Sequence, residues 1–167
     1  SAWPSGKSYL GRATSRQKYK MATTLKMGAT TFYFRKKFTF EPPPGGGELQ
    51  IRYLVDDGAV FYLNGKQIHR VNMKERGSIR YTTRALSAVT DAELSGHITL
   101  PGNSLKQGEN IIAVEVHQYS TNDRDLAFGM SLSATVESLP DGVILNELMA
   151  ANRGSVPHAG TNPDWIE

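Results

Sequence analysis

The sequence lacks several residue types and patterns, and each absence excludes a class of protein. Cysteine is missing from all 167 residues, which excludes disulfides, thiolate metal ligands and cysteine nucleophiles. A membrane-spanning helix needs about 18 consecutive apolar residues, and no run comes close. Sustained helical periodicity is missing from every segment. The start at Ser1 lacks the basic and then apolar pattern of a signal peptide.

Acidic residues are missing from the first forty positions, although nine of the 19 Lys and Arg residues lie there. The remaining positions carry ten basic and 16 acidic residues, so a basic arm precedes a mildly acidic domain. Trp3, Tyr9 and Tyr19 lie between these basic residues, a mixture that could hold nucleic acid or an acidic polysaccharide. Scattered basic residues are usually solvated, however, so we do not favour nucleic acid as a partner.

Short stretches of alternating apolar and polar residues predict β-strands from about residue 30 onward. Asn64-Gly65 predicts a tight hairpin turn between two of these strands. Many short strands separated by turn residues favour an all-β fold, an antiparallel β-sandwich of the jelly-roll kind. The predicted strands are Thr30 to Phe40, Glu48 to Val55, Ala59 to Leu63, Lys66 to Val71, Ile79 to Thr82, His97 to Leu100, Glu109 to Gln118 and Leu126 to Val136.

Two segments, Asp56 to Lys66 and Gly108 to His117, resemble those of galactose-binding-like jelly rolls. Tyr33 to Phe38 and Asp125 to Phe128 extend the resemblance to accessory domains of large secreted proteins from planctomycete- and verrucomicrobia-type bacteria. The similarity covers roughly residues 3 to 136. It implies a galactose-binding-domain-like fold, a secreted or cell-surface location and a glycan ligand. It also implies a structural Ca²⁺, which such modules often carry, and the sequence indicates no other cofactor.

A second resemblance begins at Val143. Ile144 to Asn152 and Asn162 to Glu167 are similar to the opening of a bacterial lamin-tail domain. We therefore expect three parts: a basic N-terminal strap at 1–29, a jelly-roll β-sandwich at 30–138, and a linker with the truncated start of a lamin-tail-like domain at 139–167. Neighbouring domains of a longer chain would then be partners of this module.

Catalytic motifs are missing from the sequence. The four histidines lie outside any H-E-x-x-H motif, and there is no G-x-S-x-G elbow or phosphate-binding glycine loop. His117, Ser120 and Asp123 are close in sequence, but neighbours in one turn rarely reach the geometry of a triad. The sequence therefore predicts a protein that is not an enzyme.

Glu115, His117 and Tyr119 share one face of their predicted strand, since side chains alternate between faces. The outward residues of the next strand, from Ala127 to Ser133, are small. If the two strands are neighbours, they form a shallow bay suited to sugar hydroxyls and to stacking on a sugar ring. The alternative is a structural hydrogen-bonded pair of Glu115 and His117 with Arg35 or with the loop at Asp125.

Two clusters of aspartates, Asp56-Asp57 and the stretch Asn122 to Asp125, suggest a second kind of site, which would take sugar hydroxyls or Ca²⁺ through oxygen ligands. Neither cluster has a complete D-x-D-x-D-G spacing, so turn formation through side-chain hydrogen bonds is the favoured interpretation. The metal-ligand candidates are Asp57, Asn122, Asp123 and Asp125. The ligand-binding candidates are Glu115, His117, Tyr119, Arg35, Asp56, Asp57, Arg124 and Asp125.

The leading functional hypothesis is a non-catalytic carbohydrate-binding or adhesive accessory module of an extracellular multidomain bacterial protein. Its partner would be a polysaccharide or another glycan. The alternative is a structural spacer or assembly module of a cell-surface or filament protein without a free ligand. In that case Val143 to Met149 would pair with another copy and drive self-assembly.

Overall fold

A computed structural model describes residues 3–13, 18–41, 47–95, 97–101 and 104–136, together with the backbone at 148–149 and 165–166. The chain divides into two compact units, Ser1–Glu137 and Ser138–Glu167. In the second unit, β10 (Leu148–Met149) and β11 (Trp165–Ile166) pair in antiparallel fashion. The rest of the predicted lamin-tail-like segment lies outside the described residues.

The first unit is a β-sandwich of two packed sheets, which confirms the predicted fold class. The strand pairs are antiparallel apart from β1 with β2. One sheet has the order β2-β1-β9-β4-β7, with β1 at Leu10–Arg12, β2 at Thr23–Thr24, β4 at Gly47–Asp56, β7 at Ile98–Pro101 and β9 at Leu126–Val136. The other has the order β3-β8-β5-β6, with β3 at Thr31–Phe40, β5 at Gly58–Leu63, β6 at Lys66–Val71 and β8 at Gly108–His117.

Most predicted strands are present within one or two residues of their expected limits. The short strand predicted at Ile79 to Thr82 is wrong, because this segment belongs to a loop. There the Thr83 amide donates to the Arg80 carbonyl over 2.8 Å, which is a turn rather than a strand contact. β1 and β2 were not predicted, since two or three residues are too few to show a period of two.

The core lies between the inward faces of the two sheets. Phe61 and Val116 come from the four-stranded sheet and Leu126 from the other, and all three are completely buried. Val60 points outward from β5 and is nevertheless buried, because Met73 and Ala85 cover it. A loop at residues 72–90, here named the cover loop, therefore closes part of the outer face of the four-stranded sheet.

Asn72 fastens the cover loop at its start. The Asn72 side-chain amide donates to the Ser87 carbonyl over 2.6 Å and to the Asp57 carbonyl over 3.2 Å. The Leu86 amide donates to the Asn72 carbonyl over 2.9 Å. These bonds join both ends of the loop to the start of β5, so the loop is held against the sheet.

The N-terminal strap belongs to the five-stranded sheet. β1 pairs with β9, where Leu10 lies opposite Phe128 and Gly11 opposite Ala127. Gly11 has a φ of +155°, and a side chain there would meet the Leu126 carbonyl. Tyr9 of the strap lies directly on Gly129 of β9. The strap thus supplies an edge strand and covers the outer face of β9.

Candidate ligand-binding site

The predicted bay requires β8 and β9 to be neighbours, and they are not. β8 pairs with β3 and β5, whereas β9 pairs with β1 and β4 in the opposite sheet. The segment 118–125 joins β8 to β9 by crossing between the sheets. Alternation indicates which face of a strand is buried, but it does not identify the neighbouring strand. Ala127 and Gly129 are buried and do not form an open floor.

His117 lies beneath the cover loop and is 0% exposed. Its Nδ1 lies 2.7 Å from the Thr83 carbonyl oxygen and 2.9 Å from Thr31 Oγ1. Because a carbonyl only accepts, Nδ1 carries the proton and donates to Thr83. The Thr31 hydroxyl donates to the Tyr81 carbonyl over 2.6 Å. His117 therefore holds the cover loop in place rather than facing an open bay.

Glu115 is 9% exposed and belongs to the same buried network. The Tyr62 hydroxyl donates to Glu115 Oε1 over 2.5 Å, and Glu115 Oε2 lies 3.6 Å from His117 Nε2. Burial lowers the pKa of His117, so the ring is neutral at pH 7 and the 3.6 Å separation is not an ion pair. The hydrogen-bond partners within the described residues are Tyr62, Thr31 and Thr83, rather than Arg35 or the loop at Asp125.

Tyr119 lies beyond the end of β8 and is 46% exposed. Its backbone amide donates to Asp57 Oδ2 over 2.6 Å. The other oxygen of the same carboxylate, Asp57 Oδ1, accepts from the Val89 amide over 2.7 Å. Asp57 is 2% exposed, so it joins β5, the cover loop and the segment after β8 from a buried position.

Four carboxyl groups interact around this junction. The pKa of Asp56 is raised to about 8, mainly by burial and also by the charge of Asp57, a hydrogen bond with Asp57 and the charges of Asp125 and Asp123. Burial also raises the pKa of Asp123 to about 6, with help from a hydrogen bond to Asp125. Gln118 is 1% exposed and donates from Nε2 to the Asp125 carbonyl over 2.9 Å.

The metal expectation concerns this same junction. Within the described ranges, no group of three or more His, Cys, Asp or Glu side chains is arranged to hold a metal ion. Asn122 is exposed, and its backbone amide donates to Ser120 Oγ over 3.2 Å. A Ca²⁺ site at Asp57, Asn122, Asp123 and Asp125 stays a prediction from the sequence.

The buried carboxyl of Asp56 makes folding stability depend on pH. The folded chain keeps this proton up to about pH 8, whereas the unfolded chain releases it near the ordinary pKa of 3.8. Stability should therefore fall as the pH rises from 6.5 to 8, by up to about 1.4 kcal/mol per pH unit. His117 affects stability only at lower pH. Its pKa is lowered in the folded chain, so the unfolded chain takes up a proton first as the pH falls below 6.5, and stability is lost there.

Urea unfolding at pH 6.5, 7, 8 and 9 measures this dependence. Asp56→Asn should flatten it, since the variant has no proton to lose. Asp91→Asn is the control, because Asp91 is exposed and should leave the slope unchanged. Equal slopes in the wild-type chain and in Asp56→Asn would contradict the assignment.

Exposed aromatic and basic side chains of β3 and the strap form a second candidate surface, where Tyr33 of β3 lies across the sheet from Glu115. Trp3 and Tyr33 are each 50% exposed. The Arg35 guanidinium carbon lies 4.3 Å from the centroid of the Trp3 ring, which is a cation–π contact. Lys36 follows on the same strand. These four residues, Trp3, Tyr33, Arg35 and Lys36, are here named the ridge.

The ridge lines a cleft of about 870 Å³ between the strap, β3, β8 and β9. Within β9, β1 pairs with Leu126–Phe128. Beyond Phe128, on the side of β9 that faces away from β4, residues of the strap line the cleft. Ser5 and Ser8 add hydroxyl groups to the lining, and no Asp or Glu is among the described lining residues. The apolar wall consists of Leu10, Phe34, Phe38, Ile112, Val114, Phe128, Met130 and Leu132.

The structure separates the predicted site residues. Arg35 belongs to the ridge, Glu115 and His117 to the buried network, and Arg124 is exposed in the segment after β8. The predicted ligand-binding residues do not include Trp3 or Tyr33, although Trp3 is among the aromatic residues of the basic arm that could hold an acidic polysaccharide. The alternation of β3 places Tyr33 outward and could have indicated it, but the contact between Trp3 and Arg35 depends on the path of the strap.

Fold and surface together define a β-sandwich with a cleft at one edge and half-exposed aromatic rings at its mouth. No protein-family model, curated protein or solved structure matches the chain. The resemblance to galactose-binding-like jelly rolls therefore stays a prediction from motifs. Among the described residues, no helix has the length and apolar character needed to cross a membrane.

Proposed function

We propose that the chain is a non-catalytic carbohydrate-binding or adhesive module of an extracellular or cell-surface multidomain bacterial protein. The supporting observation is the pair of half-exposed rings, Trp3 and Tyr33, beside the Arg35 guanidinium at the mouth of one cleft. Aromatic rings stack on the C–H face of a sugar, and guanidinium and hydroxyl groups bond to its oxygens. The proposed binding site is therefore the ridge.

The ridge side chains are held by the sheet, which favours binding because little freedom is lost. Tyr33 and Arg35 lie within β3, which pairs with β8 over ten consecutive residues. Arg35 in turn holds the Trp3 ring. Burial raises the pKa of Tyr33, and the charge of Glu115 adds to the rise, so the hydroxyl stays protonated and can donate to a ligand. Such preorganisation reduces the entropy cost of binding.

Alanine substitutions at the two rings test the proposal. Trp3→Ala and Tyr33→Ala should each weaken glycan binding by about fivefold, because each removes a stacking contact worth roughly 1 kcal/mol. A glycan array first identifies a polysaccharide that the wild-type chain binds. Affinity gel electrophoresis on that polysaccharide then compares the variants.

Tyr81→Ala is the matched control, because Tyr81 is a 71% exposed tyrosine on the cover loop and does not line the cleft. It should leave binding unchanged. Tyr119→Ala tests the position favoured by the sequence. Loss of binding in Tyr119→Ala but not in the ridge variants would contradict the proposed site. A folded chain that binds neither neutral nor acidic glycans would contradict the proposed function.

A structural spacer or assembly module is the second candidate, and the position of β3 favours it. Among the described strands, β3 lies at the end of its sheet, and such an edge can pair with another chain. Arg35, Lys36 and Lys37 follow one another along this edge on alternating faces and would repel a second copy, although Lys37 is paired with Glu109 over 2.9 Å. Concentration-dependent sedimentation without glycan binding would select this candidate.

A further inference from the structure

We infer that the ridge selects acidic glycans, in which a uronate carboxylate or a sulfate group binds Arg35 and Lys36. This inference rests on the proposed function, because it names the ligand class for the same surface. The chemistry common to both ligands is a planar or tetrahedral group of anionic oxygens attached to a sugar ring. Stacking on Trp3 and Tyr33 would hold the ring, Arg35 beside them would bind the anionic group, and Lys36, on the other face of β3, would add positive charge at the cleft.

The charge of the cleft points to an anionic ligand. Arg35 and Lys36 line it, and its described lining contains no carboxylate. The close acid–base contacts of the described residues are Lys37 with Glu109 and His117 with Glu115, and neither involves Arg35 or Lys36. All acidic residues of the sequence lie after position 40, whereas the strap and β3 lie before it. Two cations at the mouth of the cleft therefore have no acidic partner among the described residues.

Glu115 lies across the sheet from Tyr33 and its charge acts on that residue, yet it forms no ion pair with Arg35 or Lys36. It is 9% exposed, whereas Tyr33 is 50% exposed. One of its carboxylate oxygens already accepts the Tyr62 hydroxyl. An incoming anion at the mouth of the cleft would thus meet exposed cations, while this carboxylate lies beneath the surface.

The Arg35 guanidinium, whose carbon lies 4.3 Å from the centroid of the Trp3 ring, favours an oxygen anion in particular. The N–H groups of a guanidinium lie in one plane and bind carboxylate or sulfate in pairs. No described residue accepts a hydrogen bond from the Arg35 side chain, so these donors are not used within the described part of the chain. Charge-assisted bonds of this kind contribute about twice as much as bonds to neutral hydroxyls.

The experiment compares glycans that share a backbone and differ in charge. Polygalacturonate is paired with its methyl ester, and a sulfated galactan with its desulfated form, with binding measured by biolayer interferometry. We expect at least tenfold tighter binding to one or both acidic members at 0.05 M salt. The carboxylate and sulfate pairs show which anionic group the ridge prefers. Binding should weaken at 0.5 M salt, because salt screens exposed charges.

Neutral substitutions then localise the charge effect. Arg35→Gln and Lys36→Gln should each reduce binding of the acidic glycan at least fivefold more than they reduce binding of its uncharged counterpart. Lys37→Gln is the matched control on the next residue, because Lys37 does not line the cleft and is paired with Glu109. It should stay within twofold of the wild-type chain in both cases. Circular dichroism of each variant checks that the sheet is intact.

Two results would overturn the inference. Equal binding of the charged and neutral members, with both weakened by Trp3→Ala, would leave the proposed function standing and remove the selectivity for acidic glycans. A loss in Lys37→Gln as large as that in Lys36→Gln, with DNA bound as tightly as the glycans, would indicate diffuse polyanion attraction instead of a site. Failure of every glycan to bind would contradict the proposed function itself.

Discussion

Asp57→Ala is expected to lower the free energy of unfolding by about 2–4 kcal/mol, because two backbone amides lose a buried, charged acceptor. The Val89 and Tyr119 amides donate to its two oxygens over 2.7 and 2.6 Å. The carboxylate is 2% exposed, so water cannot easily take its place. Below about pH 8 Asp56 is protonated, and removal of the Asp57 charge therefore relieves little repulsion.

Urea unfolding at pH 7, followed by circular dichroism, measures this loss. Asp57→Asn should cost less than Asp57→Ala, because its amide oxygen still accepts one of the two bonds. Asp91→Ala changes an exposed aspartate and should shift stability by less than about 0.5 kcal/mol. If Asp57→Ala unfolds within about 1 kcal/mol of the wild-type chain, the two amides do not depend on this carboxylate.

His117→Ala should cost a similar amount, about 3–5 kcal/mol, and should also loosen the cover loop. The ring is completely buried, so its removal leaves a cavity beneath the loop. Thr83 loses its donor, and the hydroxyl of Thr31 loses a partner. The Ala85 amide, which donates to the Gln118 carbonyl over 3.2 Å, should then exchange its hydrogen faster.

Limited trypsin digestion provides a local measure, since Arg80 and Arg84 lie in the cover loop. His117→Ala should be cut there several times faster than the wild-type chain under conditions where both are folded. His97→Ala, which changes an exposed histidine, should digest at the wild-type rate. Unchanged digestion of His117→Ala would show that the ring does not hold the loop.

The alternation of apolar and polar residues was enough to predict most strands, and the pair Asn64-Gly65 was enough to predict one turn. Asn64 and Gly65 have φ values of 51° and 82°, as a tight hairpin turn with two left-handed residues requires. The same Asn64 also links β5 to β8, because its side-chain oxygen accepts the Ile111 amide over 3.0 Å. That second role depends on a contact 47 residues away in sequence, and no local pattern signals it.

The candidate site was less predictable for the same physical reason. Alternation placed Glu115 and His117 on the outward face of β8, which is correct, since Val114 and Val116 are in the core. An outward side chain is exposed only if no loop crosses above it, and the cover loop shows no periodicity that would predict its path. Sheet order is likewise a non-local property, so the separation of β8 from β9 could not be read from either strand.

The contact between Tyr9 and Gly129 has a practical consequence for dissecting this protein. A fragment cut at residue 30, where the composition changes, would lose the edge strand that covers Leu126–Phe128. It would also lose the Trp3 ring, and with it half of the aromatic surface at the cleft. Binding assays therefore require the strap, and an affinity tag is better placed far from Trp3, so that it does not obstruct the cleft.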